Sequence, residues 1–323
     1  MAKQIKMYSQ NKNIQSEKCL WVKGGHGLGN RLLSLEIACR YAYKHRLSVY
    51  IDWNDPIYEQ SHSDVLTFLD LQSINSILEP KIELYNNIYP RDQRLFTEPD
   101  LTKLITEKRV LTDLHPSFAP WRKYGRFKRR FRYLHSVKYA VRNGEFLDKL
   151  AENNDLLCFC CSIPENEPEH FRHVKINYKK LDTLYHASNL TCQKNDIGLH
   201  IRNTDKNSGR LDKVIDCVNQ LLNDNPTLST MHLATDSLSI VKLISSTFKE
   251  RLVIQTLNIK RNEEPLHLKV KSKQDKNKEL TNALLDIYML SQSRHLLFQE
   301  NSSFSRVAVA LQDSFNTCID WTH

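Results

Sequence analysis

The chain has 323 residues, 40% of them apolar and 9% aromatic, and a formal net charge of +9. That length suits two domains of ordinary size, and that apolar content excludes a disordered chain. No run of about 18 apolar residues occurs, which excludes a membrane-spanning helix, and the polar start Met1-Ala2-Lys3-Gln4-Ile5-Lys6 lacks the apolar region of a signal peptide.

The eight cysteines include Cys158, Cys160 and Cys161 within one apolar run; Cys158 and Cys161 have two residues between them, but no second pair of that spacing accompanies them to make up a zinc set. They read as reduced, mostly buried thiols of a cytoplasmic protein. The positive charge favours an anionic partner. Part of it is concentrated at residues 122–132, where aromatics alternate with Arg and Lys. Such a run suits nucleic acid, an anionic membrane surface or a lipid-linked, phosphate-bearing acceptor, and it is also what a solvated helix face looks like.

In chain order, residues 19–22 read as a strand. The loop Lys23-Gly24-Gly25-His26-Gly27-Leu28-Gly29-Asn30-Arg31 follows. Leu32, Leu33, Leu35, Ile37, Ala38, Tyr41 and Ala42 then recur at helical spacing, and 47–53 is a second strand. Strand, glycine loop, helix and strand open an α/β sheet, with a helix N-terminus that attracts negative charge. A nicotinamide-binding unit starts in the same way and ends its second strand on an acid, here Asp52. Its G-x-G-x-x-G pattern is broken by Asn30 and Leu32, so that reading is disfavoured.

Residues 60–185 are harder to divide. The stretches 65–71 and 74–78 look helical or mixed, 146–150 helical, 156–161 a buried strand and 178–190 a helix. From Asp196 the alternation is regular. It gives strand 197–202, a helix near 211–223, strand 231–236, helix 238–244 and strand 252–255. A lysine-rich loop at 269–278 is followed by helix 280–292, strand 295–298 and a final helix after Ser305. Repeated βα units imply a parallel sheet with ligands at the carboxyl ends of its strands.

Three polar corners fall at those ends: His200 with Arg202, Thr235 with Asp236, and Asn301-Ser302-Ser303. An Arg fork on a rigid strand end matches phosphate oxygens, and a hydroxyl-rich helix start suits phosphate too. Each corner alone is more simply a cap or an ion pair. All three on one sheet, with Asp286 in the helix before the last strand, point to a phosphate-bearing ligand. No Asp-x-Asp pair exists, which disfavours a metal-clamped sugar-nucleotide site of that kind and leaves basic and helix-end groups to handle a diphosphate.

Five motifs run in order along the chain. They are Gly27-Leu28-Gly29-Asn30-Arg31-Leu32-Leu33-Ser34-Leu35, Gly198-Leu199-His200-Ile201-Arg202-Asn203-Thr204-Asp205-Lys206, Leu233-Ala234-Thr235-Asp236, Leu284-Leu285-Asp286-Ile287-Tyr288-Met289-Leu290-Ser291 and Asn301-Ser302-Ser303-Phe304-Ser305-Arg306-Val307-Ala308. In these the chain resembles the alpha-1,6-fucosyltransferases, including the rhizobial nodulation enzymes, with the protein O-fucosyltransferases as more distant relatives.

The resemblance implies a GT-B-like α/β fold, two Rossmann-like domains whose parallel sheets face a cleft. The first would be an acceptor-side domain over 1–185 and the second a GDP-sugar-binding domain over 186–323. It implies inverting transfer of fucose from GDP-fucose to a glycan or oligosaccharide acceptor, without a metal or other cofactor. Carried over by position, Arg202 would neutralise the leaving β-phosphate, with His200 beside it. Asp286 would accept from the guanine edge or hold a nearby strand end, Ser302 and Ser303 would bind phosphate, and Asp236 would complete the donor corner. Gly27, Gly29, Asn30 and Arg31 would face the cleft from the first domain.

Two departures stand out. Asn203 occupies the place of a usual second Arg, which leaves its contact to Lys206 or Arg31. No Glu follows the Asp205-Lys206 pair, so Asp205, Asp212 or a group in the middle segment is left as base. The acceptor stays open among a lipopolysaccharide sugar, a chitin-like oligomer and a protein glycan. Rival readings are a nucleic-acid-binding protein that uses 122–132 and a GDP-sugar-binding protein without transferase activity. The GDP-sugar reading expects no nucleic acid and leaves the basic run for peripheral contact with an anionic membrane.

Overall fold

A computed structural model describes residues 17–24, 27–53, 65–77, 79–89, 94–97, 144–160, 169–186, 195–203, 211–257, 273–312 and 317–322. The first half contains β1 (Cys19–Lys23), α1 (Leu28–His45), β2 (Ser48–Asp52), β3 (Leu69–Leu71), β4 (Ile88–Tyr89), α2 (Arg94–Thr97), α3 (Gly144–Asn153), β5 (Leu156–Cys160), β6 (Val174–Ile176) and α4 (Tyr178–His186). The second half contains β7 (Ile197–Ile201), α5 (Leu211–Asp224), β8 (Thr230–Thr235), α6 (Leu238–Phe248), β9 (Val253–Gln255), α7 (Lys273–Gln292), β10 (His295–Phe298), α8 (Ser303–Ala310) and β11 (Thr317–Asp320).

The strands make one sheet of order β2-β1-β5-β4 and another of order β11-β10-β7-β8-β9, parallel at every pairing. A small antiparallel pair joins β3 to β6. The chain is therefore α/β with two parallel sheets, as the βα alternation implies. In the second sheet the chain steps from β7 outward to β9, then returns through α7 to β10 on the other side of β7. The order reverses between β7 and β10, which is where an open α/β sheet forms a crevice at its strand ends.

Helix α1 is the centre of the molecule. Thirteen of its eighteen residues are buried, polar Arg31, Ser34 and Glu36 among them. A helix covered on most of its faces lies inside a core rather than on one. It ends on Arg46 in the left-handed conformation (φ 55°), whose N–H closes on the carbonyls of Ala42 and Tyr43. One apolar cluster joins Leu32, Leu35 and Ile37 of α1 to Val22 of β1, and also to Leu284 and Ile287 of α7 and Val307 and Ala310 of α8. A second fills the opposite side of the second sheet, where Ile197, Leu199 and Ile201 meet Val214 and Val218 of α5 and Ile240 and Ile244 of α6.

Residues 273–278, expected to be loop, form the start of α7. Its Lys and Gln residues are good helix formers, so charge alone does not imply a loop, and the apolar stripe that follows carries the helix. The middle segment resolves into β3, β4 and β6, strands of two or three residues that are too short for periodicity to show. Among the described cysteines, Cys19, Cys39, Cys158, Cys217 and Cys318 are free thiols, the first three buried. Burial raises the Cys19 thiol to about 12, so it is inert. No described helix is long and apolar enough to cross a membrane.

Two carboxylates tie backbone to backbone. Asp196, just before β7, accepts from the amides of Ser229 (2.8 Å) and Thr230 (3.1 Å) at the start of β8. Burial alone would raise its carboxyl, but these donors outweigh it and hold it below the usual range. Glu36, fully buried, accepts from the amides of Arg172 (3.0 Å), His173 (3.0 Å) and Val174 (2.9 Å) and from Arg40 Nε (3.0 Å). It thereby fastens the segment before β6 to α1. Each donor left without an acceptor in the interior costs about 1–3 kcal/mol. Glu36→Ala is therefore expected to lower stability by about 3 kcal/mol or more, read as a lower denaturant midpoint at an unchanged m-value.

Candidate functional site

The glycine loop after β1 divides into three roles. A Cβ at Gly24 would lie 2.2 Å from the Arg31 guanidinium, so this glycine makes room for a buried Arg. A Cβ at Gly29 would lie 2.6 Å from backbone atoms of Ser303 and Phe304, so this glycine lets α1 and α8 touch. A Cβ at Gly27, the N-cap of α1, would meet nothing within 4 Å. Asn30 is half-buried. Arg31 departs from the expectation of an open cleft residue: it is 0% exposed, with its guanidinium carbon 5.5 Å from the centre of the Trp53 ring.

Asp52 is also spent internally. It pairs with Lys23 Nζ at 2.7 Å and accepts from Trp21 Nε1 at 2.9 Å, with both charged partners buried. An acid that reads a ribose must be available to it, so this arrangement agrees with the sequence argument against a nicotinamide-binding unit.

In the second sheet the three polar corners meet. The Arg202 amide donates to Gln299 Oε1 (3.0 Å) at the exit of β10, and the Asn203 amide donates to Asp236 Oδ1 (2.9 Å) at the exit of β8. Three neighbouring strand ends are thus stitched together around Arg202, whose side chain is half-buried. His200 is held more firmly. Its Nδ1 hydrogen-bonds Ser305 Oγ at 2.5 Å, its ring stacks on Phe304 at 4.9 Å, and its carbonyl accepts from Trp321 Nε1 at 3.2 Å. Ser305 Oγ also accepts from the Gln299 amide at 3.2 Å.

Ser302 is the N-cap of α8, yet its side chain makes no capping hydrogen bond; it is fully buried and its hydroxyl has no hydrogen-bond partner among the described residues. Ser303 opens the helix. The first turns of α1 and α8 therefore meet at Gly29, and neither contains an acid. Both ends carry partial positive charge and free amide donors, an arrangement relieved by an anion.

Asp286, in α7, pairs with His232 Nε2 of β8 at 2.9 Å. Asp212 is exposed in the first turn of α5, a favourable place for an acid at a helix start. Asp205, Lys206 and the basic run 122–132 lie outside the described residues. Among the described residues no three His, Cys, Asp or Glu side chains group as metal ligands. Gln299, Ser305, Trp321 and His232 were not singled out from the sequence. The spacing of Ser305 three residues after Ser302, one turn along a helix, was the only signal for any of them.

No protein-family model matches the chain, and no curated protein does. Solved structures do. A NodZ alpha-1,6-fucosyltransferase soaked with GDP-fucose superposes with TM-score 0.52 at 18% identity, covering 91% of this chain and 93% of that one. Fucosyltransferase NodZ from Bradyrhizobium gives TM-score 0.51 at 18% identity over 93% and 96%. POFUT1 in complex with GDP-fucose gives 0.51 at 9% identity over 94% and 98%. The chain shares the overall fold of these GT-B-type structures, the fold expected from its five motifs.

The two glycines separate packing from openness in one experiment. Gly29→Ala is expected to cost about 1–3 kcal/mol through overpacking, although Gly to Ala inside a helix ordinarily adds about 1 kcal/mol. Gly27→Ala, with room for its methyl, is expected to leave the thermal midpoint unchanged.

Proposed function

We propose that the protein is an inverting glycosyltransferase that moves fucose from GDP-fucose to a glycan acceptor without a metal ion. The observation that carries this reading is the meeting of the first turns of α1 and α8, free of acids, beside the unspent hydroxyl of Ser302. Arg202 stands two residues beyond His200, which is packed against the same α8 turn. This is a fixed set of donors suited to a diphosphate.

In the reaction an acceptor hydroxyl attacks the anomeric carbon as the bond to the β-phosphate oxygen breaks, and that oxygen gains charge as it leaves. Arg202 and the amides of the α8 start would stabilise the developing charge, a role already paid for by the fold because the groups need no rearrangement. Ser302 would add its hydroxyl, its amide being already bonded to the Gln299 carbonyl, and Ser303 its hydroxyl and amide. Gly27, open at the start of α1, would let the ligand approach its backbone, while Gly29, Asn30 and Arg31 would support that wall. Asp236 and His200 would hold the corner in shape. The hydroxyl's proton must pass to a base. Asp205, three residues past Arg202, is better placed in sequence for this than Asp212, which is drawn to solvent at the start of α5.

The domain boundary near 185 is retained in this reading, since the strands of the first sheet end by Cys160 and those of the second begin at Ile197. Residues 186–323 bind the donor and the earlier part receives the acceptor. The basic run is left for a membrane-bound or anionic acceptor, and the protein works on the cytoplasmic side.

GDP at about 100 times its Kd adds about 2.7 kcal/mol to stability and is expected to raise the thermal midpoint by several degrees, with no comparable shift for UDP or ADP. The shift persists when the lysines and arginines of 122–132 are neutralised; a nucleic-acid-binding protein would instead show salt-steep binding that this change abolishes. Arg202→Ala is expected to lower kcat about 100-fold, a loss of about 3 kcal/mol, with the wild-type rate retained in EDTA. Binding of GDP-fucose without transfer or hydrolysis would identify a non-catalytic donor-binding protein.

A further inference from the structure

The pair His232–Asp286 is a hydrogen-bonded contact between the interior of the second sheet and α7, the helix whose Asp286 is expected to face the guanine edge or hold a strand end. His232 is on β8, Cα-paired with Gly198 of β7, while His200, paired with Ala234, stands one pleat nearer the strand exits on the same face. That face is covered by α7 and α8. A Cβ at Gly198 would meet Leu290 and Ser293 at the carboxyl end of α7, and His200 bonds Ser305 of α8. Asp286 lies one helical turn before Leu290, and so nearer the strand exits.

The two members of the pair differ in access. The His232 side chain is 1% exposed and that of Asp286 18%. Nε2 of His232 is 2.9 Å from Asp286 Oδ1, whereas Nδ1 is buried with no hydrogen-bond partner among the described residues. A proton on Nε2 satisfies this geometry, because it is donated to the carboxylate while Nδ1 is left as a bare acceptor. The carboxylate then keeps its charge and has one oxygen fixed from behind by a group that cannot itself reach solvent.

We infer that His232 is a positioning residue that orients the Asp286 carboxylate to accept from the two-donor edge of a purine base, its ring N–H and its exocyclic amine. The inference rests on the GDP-sugar reading above and deepens it: base selection comes from a buried strand histidine acting through a helix carboxylate. Hydrogen bonds to a charged group change affinity by about tenfold or more, so the role is measurable.

The test compares binding of GDP, IDP, which lacks the exocyclic amine, and inorganic pyrophosphate to the full chain by calorimetry. His232→Leu is expected to reduce the preference for GDP over IDP about tenfold while leaving pyrophosphate affinity unchanged. His232→Gln, which keeps an N–H donor, retains most of the preference, and adding His232→Leu to Asp286→Asn costs little more, because the histidine acts only through the carboxylate. Equal loss on all three ligands marks a structural histidine and overturns the proposal. A second measurement needs no variant: in histidine-selective 15N spectra of the wild type, GDP shifts the His232 Nε2 resonance and pyrophosphate does not. Absence of that shift overturns the proposal as well. A wild type that binds GDP no more tightly than pyrophosphate overturns the GDP-sugar reading and this proposal together, whereas a GDP preference untouched in His232→Leu overturns this proposal alone.

Discussion

The close approach of α1 and α8 is the constraint on which the rest of the structure depends. At Gly29 the two helices stand so near that no side chain fits between their backbones. The contact joins the first sheet to the helices that cover the second through one apolar cluster, from Val22 of β1 to Val307 of α8. It also brings two helix starts together, which is electrostatically unfavourable without a negative partner. Packing at this point therefore creates the feature that the proposed function uses. A single missing Cβ serves both the core and the ligand corner.

Around that contact the polar groups are divided into those consumed by the fold and those left for chemistry. Lys23 and Asp52 neutralise each other under Trp21, and Glu36 is saturated by three backbone amides and Arg40. His200 is fixed by Ser305, Phe304 and Trp321. A buried polar group is tolerable when it is satisfied, and these are. The Ser302 hydroxyl is one of several exceptions, buried at a helix start with no hydrogen-bond partner among the described residues. Its place at a helix start is what distinguishes it, and that is the feature the proposed function puts to use.

Much of the second sheet was legible because each βα unit is local: a short apolar run, a polar corner, then a period near 3.6. The corners at Arg202, Asp236 and Ser302 could be named from sequence, since strand exits concentrate polar residues. Their stitching could not. Gln299 reaches Arg202 across 97 positions and Ser305 reaches His200 across 105, and only the order of the parallel strands sets such contacts. The burial of Arg31 was hidden for a related reason. Charge at a loop suggests solvent, whereas here Gly24 and Trp53 build a slot for the guanidinium. β11 escaped notice because a four-residue edge strand shows little alternation, and the lysine-rich start of α7 because helix-forming charged residues resemble a loop until their apolar continuation is counted in.

The fastening by Glu36 has a mechanical consequence. α1 is joined to the second half of the chain at Gly29, near its start, by contact with Ser303 and Phe304. About two turns further on, Glu36 grips residues 172–174, and the neighbouring Phe171 amide donates to Ala310 at the far end of α8. A joint pinned at two separated points resists folding open like a book. Its softest remaining freedom is torsion about the line through the pins. The two sheets should thus behave as plates on a common axle, and any change in the gap between their strand ends would come from twist rather than from a gaping hinge.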